Sequence, residues 1–130
     1  MIVPPGPNQE ARAVVAVCEP VLASSLELAL LASGFSAILH DPMQGLEGLP
    51  LEGATVLILG PRVLKAEPLI FIDGLRARPW RGLVILITGD GETLRRVCEG
   101  TGGVAILEMP FVGADLIAVI RDAGASDDPT

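Results

Sequence analysis

The sequence predicts a doubly wound α/β domain, (βα)5, with five parallel strands in the order 2-1-3-4-5 and helices on both faces. Three observations lead there. The short runs at 13–17, 36–39, 56–59, 83–87 and 104–107 are almost wholly aliphatic. They do not alternate apolar with polar residues, as a strand with one wet face would, so they read as strands buried on both faces. Every segment between successive runs is long enough for the crossover that parallel pairing requires. The composition agrees: 50% of residues are hydrophobic, 19% are charged and tyrosine is absent, leaving a core of Val, Leu, Ile and Ala. A chain of 130 residues makes one domain, expected to bury about two thirds of its unfolded surface.

Residues 1–11 read as a flexible arm, because Pro4, Pro5, Gly6 and Pro7 prevent regular structure. The domain proper spans 12–124, and 125–130 read as a flexible polar tail. The first strand leads through Cys18-Glu19-Pro20 into a helix over 21–33. Pro20 suits the start of that helix, where its missing N–H would have had no partner, and Gly34 suits the C′ position. Strand two follows. Residues 40–53 are the weakest segment, since Gly45, Gly48, Pro50 and Gly53 leave room only for a short, marginal helix. The third strand, Val56-Leu57-Ile58-Leu59, stops at Gly60-Pro61. A helix over 67–77 carries Leu69, Ile70, Ile72 and Leu75 and ends before Pro79. After the fourth strand, Asp90 can cap a helix over 91–99, broken by Gly100, Gly102 and Gly103. The fifth strand is followed by a last helix over 113–123. No internal repeat is visible.

The start, Met1-Ile2-Val3-Pro4-Pro5, has no basic region and no long apolar run, so no signal peptide is expected. No apolar run approaches the roughly 18 residues of a membrane span. Cys18 and Cys98 lie far apart, in neither CxxC nor metal-ligand spacing, and fit reduced thiols in the cytoplasm. The net charge of −7 argues against nucleic acid as a partner. Basic residues nonetheless gather over 62–96, where Arg62, Lys65, Arg76, Arg78, Arg81, Arg95 and Arg96 outnumber Glu67, Asp73, Asp90 and Glu92. A solvated mixed face is the plainer reading, and an acidic protein partner the sharper one.

Chemistry in an open parallel sheet is done at the carboxyl ends of the strands. Here those ends are Cys18-Glu19, His40-Asp41, Gly60-Pro61, Thr88-Gly89-Asp90 and Glu108-Met109-Pro110. A P-loop would need glycines and a Lys-Ser/Thr pair after the first strand, and neither is present. A flavin phosphate would want a Ser/Thr/Gly-rich loop at the same place, also absent. A cysteine phosphatase at Cys18 would need an arginine six positions on, where this chain has Ser24. Cys18 therefore reads as a structural, partly buried thiol. His40, the sole histidine, reads as a surface residue in a loop rather than a base or ligand. The expectation is a protein that is not an enzyme, with no catalytic residue, no metal and no cofactor.

At these positions the chain resembles the CheY-like receiver domain of the response-regulator family, over nearly all of 12–124. Val14 to Pro20 resembles the receiver's first strand and acidic loop. Thr55 to Gly60 resembles the strand that ends in the phosphorylated aspartate. Leu83 to Gly89 resembles the fourth strand, with Thr88 matching its terminal Ser/Thr. Ile106-Leu107-Glu108-Met109-Pro110-Phe111 resembles the hallmark that normally reads lysine-proline-phenylalanine. The resemblance implies a flavodoxin-like three-layer sandwich and a cis peptide before Pro110.

The departures define a degenerate receiver, or pseudo-receiver. Val17 and Cys18 stand where a receiver has two magnesium-binding acids, and Glu19, matching the third, makes a poor site alone. Gly60 stands at the phosphoacceptor aspartate and Met109 at the phosphate-pairing lysine. Gly89 stands for the usual alanine and Ile106 for the aromatic switch residue. Acids clustered in a receiver repel one another and are tolerated because metal and lysine offset them. An apolar edge of Val17, Gly60 and Met109 removes that frustration. Val17, Cys18, Glu19, Gly60, Thr88, Met109 and Pro110 thus mark a vestigial phosphorylation pocket.

What remains to carry function is surface. On the first helix Leu22, Leu26, Ala29 and Leu30 form a core stripe, while Val21, Leu28 and Leu31 widen it beyond what one face can bury. On the last helix Leu116, Ile117 and Ile120 are expected to face the sheet, with Val119 and Ala123 toward the side. Val21, Leu28, Leu31, Val119 and Ala123 are therefore the candidate protein interface; the plain alternative is a sequence merely rich in apolar residues. The function expected is a phosphorylation-independent regulatory module of two-component-type signalling that docks on a histidine kinase or on a second copy of itself. The alternative is a small-molecule sensor using the apolar former pocket. A third reading, phosphoryl acceptance by Asp90 or Glu19, is open to direct test.

Overall fold

A computed structural model describes residues 12–42, 48–61, 63, 68–78, 80, 82–97 and 102–126, with the side chains at 68–70, 93, 94, 97 and 123–126 outside that description. The elements run β1 (Arg12–Ala16), α1 (Pro20–Ala32), β2 (Ser36–His40), β3 (Val56–Leu59), α2 (Pro68–Ala77), β4 (Leu83–Thr88), α3 (Gly91–Val97), β5 (Val104–Glu108) and α4 (Gly113–Ser126). All five strands are parallel, in the order β2-β1-β3-β4-β5 expected from the sequence.

The register explains why the aliphatic runs have no polar alternation. Val14 pairs with Leu57, and Leu57 with Val84, so the three central strands present large side chains to both faces. On one face Val15, Val56, Ile58, Ile85 and Ile87 meet Leu26 and Leu30 of α1 and Leu116 of α4. On the other, Val14, Leu57, Leu59, Val84 and Leu86 meet Leu75 of α2. The edge strands differ from expectation. β2 and β5 are only half-buried because each has a partner on one side alone, and Leu39 of β2 is 48% exposed.

The ends of α1 follow local rules. Pro20 is its first residue. At the other end Gly34 adopts φ +93, its N–H donates to Leu31 O and that of Phe35 donates to Leu30 O, which together form a Schellman closure. Other boundaries move. β2 continues through His40, which is thus a half-buried strand residue and not a loop residue. α4 continues to Ser126, past the 124 boundary of the domain as read from sequence. The arm at 1–11, the tail at 127–130 and the marginal helix around 43–47 lie outside the described residues. No helix among the described residues is long and apolar enough to cross a membrane.

The edge of the sheet where the strands begin is braced by residues that the strand pattern does not reveal. Leu49, Leu51, Ala54 and Trp80 are buried in the α2-side core. Trp80 Nε1 donates to Ala54 O at 2.8 Å. Arg76 sits 5.8 Å from the Trp80 ring centroid and donates to Trp80 O, Gly82 O, Gly102 O and Gly103 O. Arg78 donates to Leu49 O. Both arginines thus donate to backbone carbonyls, a role that neither the solvated-face reading nor the acidic-partner reading of 62–96 assigned to them. Arg95 and Arg96 stay exposed beside Glu108 and Glu92, and Arg62, Lys65 and Arg81 lie outside the described residues.

Candidate functional site

Four adjacent strand ends, those of β1, β3, β4 and β5, build the site. β1 stops at Ala16, and the alternation of its side chains turns Val17 inward to 7% exposure. The next residue, Cys18, points out. Its thiol is exposed, which corrects the expectation of a partly buried one: the strand ends one residue earlier than the aliphatic run, and Val17 takes the inward place. Glu19 takes the N-cap position of α1 with no capping bond from its side chain; it is half-buried, with its Oε1 atom out of water.

Beside β1, the chain leaves β3 at Gly60, whose N–H donates to Ala16 O at 2.9 Å. Residues 56, 58 and 60 share a side of the pleat, so a side chain at 60 would begin toward the α1 face. Val17 crowds that place. A Cβ built on Gly60 falls 3.0 Å from Val17 Cγ2 and 3.2 Å from its Cα and Cγ1. Gly60 then opens the turn that Val63 N–H closes on Gly60 O.

β4 ends at Thr88. Its carbonyl accepts the Met109 N–H at 2.8 Å, and its half-buried hydroxyl accepts the Asp90 N–H at 3.0 Å. Met109 is half-buried, its methyl 4.0 Å from where a Cβ on Gly89 would lie, and the Met109–Pro110 peptide is cis. Beyond β5, Glu108 lies against Gly91 and, at 3.8 Å, Arg95. The sequence-derived set therefore splits. Val17 and Gly60 touch, Thr88 and Met109 are joined through the backbone, and Cys18 turns away to solvent. No group of three or more His, Cys, Asp or Glu among the described residues could hold a metal ion.

A groove of about 460 Å³ opens next to these strand ends, between α1 and the turn from β5 into α4. Leu22, Ser25 and Ala29 form one wall, and Met109, Phe111 and Val112 the other. Gly113 brings the two helices close, since a Cβ there would lie 3.1 Å from Ala29 Cβ. Sequence reading missed this groove, whose one signal was the glycine opening the last helix. Val112 at the groove is 64% exposed, and on the outer face of α1 Val21 is 81%, Leu28 67% and Leu31 52% exposed. Val119 corrects the expected patch: it is half-buried and packed on the α1-side core, because α4 lies against both α1 and the sheet. The side chain of Ala123 lies outside the described residues.

No protein-family model matches the chain, and no curated protein matches it. Solved structures do. A response-regulator receiver domain from Clostridium thermocellum is similar over 90% of this chain and 96% of its own, with a TM-score of 0.72 and 18% identity. The chemotaxis protein CheY4 of Vibrio cholerae is similar over 87% of this chain and 98% of its own, with a TM-score of 0.71 and 13% identity. A protein described as one of a family of redox sensors of the streptococci, evolved from two-component response regulators, matches over 92% of this chain and 53% of its own. Its TM-score is 0.71 and its identity 18%. The fold of this chain is the flavodoxin-like fold of CheY-like receiver domains.

Proposed function

We propose that this chain is a receiver-like regulatory module of two-component-type signalling that works without phosphorylation, through protein contacts made by α1 and the adjoining β5–α4 turn. The observation that carries this reading is the contact of Val17 with Gly60. A phosphoacceptor needs a carboxylate and room to present it, and this strand end has a glycine whose side-chain place Val17 crowds. With Met109 in place of a cation and Val17 and Cys18 in place of the acids, nothing at the strand ends would draw in Mg²⁺ and a phosphoryl group together. The domain acts as a binding module in the cytoplasm and not as an enzyme. The streptococcal redox sensors, described as evolved from response regulators, give a precedent for this fold serving a different signal.

The docking surface is the exposed outer face of α1 together with the groove beside it. A histidine kinase's helical domain and a second copy of this chain are the partners whose helices fit it. A small molecule would have to use the groove next to Met109, since Val17 fills the space beside Gly60. The test compares the intact chain with Leu28→Glu in partner-binding assays, with and without a small phosphodonor and Mg²⁺. Association that is lost on substitution and indifferent to the phosphodonor supports the reading. Association that requires the phosphodonor sinks it.

A further inference from the structure

We draw no further inference here: the strongest candidate, the apolar groove between α1 and the turn from β5 into α4, carries none, because nothing in the structure shows what covers it.

Discussion

Val17 stands where a side chain on Gly60 would have to begin, 3.0 Å from the place of its Cβ at the nearest atom and 3.2 Å at the backbone Cα. The neighbouring side chain crowds the space, and part of that approach is to main chain that cannot rotate away. An aspartate placed at 60 is therefore not expected to accept a phosphoryl group on its own. Gly60→Asp is expected to lower stability by about 1–3 kcal/mol, as overpacking of a filled site does, and to take up no phosphoryl group. Adding Val17→Ala should recover part of that loss, because the Cγ contacts go while the 3.2 Å contact to Cα stays. Urea midpoints of the three variants measure it. Equal stability of Gly60→Asp and the intact chain would show that the site is open.

Thr88 survives among the receiver-like positions, and its hydroxyl already has work. It accepts the Asp90 N–H and closes the turn into α3. Thr88→Ala should cost about 1 kcal/mol and speed exchange of the Asp90 amide, while Thr88→Ser should leave both near their starting values. Hydrogen exchange reads the difference.

Gly34 tests the closure of α1. A Cβ there meets nothing within 4 Å, but the backbone sits at φ +93. Gly34→Ala is expected to cost about 1–2 kcal/mol through conformation alone, and Gly34→Asn less, by thermal or urea unfolding.

The brace at the opposite edge depends on the shape of a guanidinium. Arg76 reaches carbonyls at the starts of two neighbouring strands, at Gly82 before β4 and at Gly102 before β5. Lysine lacks the planar fork, so Arg76→Lys should behave like Arg76→Met in chemical denaturation. Trp80→Phe should lose about 1–2 kcal/mol, because the Ala54 carbonyl is left without its 2.8 Å donor.

The sheet was legible because a strand buried on both faces must be aliphatic throughout, and 56–59 and 83–87 are. The ends of α1 were legible because Pro20 and Gly34 have few other uses. Val17 and Gly60 were legible as departures from the receiver pattern, but not as a crowded pair, since their proximity depends on β1 lying beside β3. Cys18 was misread because an aliphatic run does not show where the strand lets go. Val119 was misread because helix periodicity alone does not say which neighbours close over a flank. The Arg76–Trp80 brace joins loops distant in sequence, and only the Gly82, Gly102 and Gly103 cluster hinted at carbonyls within reach.

The central claim is that this fold signals without a phosphoryl group. Intact mass of the chain after incubation with acetyl phosphate and Mg²⁺ addresses it most directly, with a competent receiver treated alongside. An unchanged mass is expected for this chain while the competent receiver gains its phosphoryl group. A gain of one phosphoryl group here, mapped to Asp90, Glu19 or any other residue at the strand ends, would contradict it.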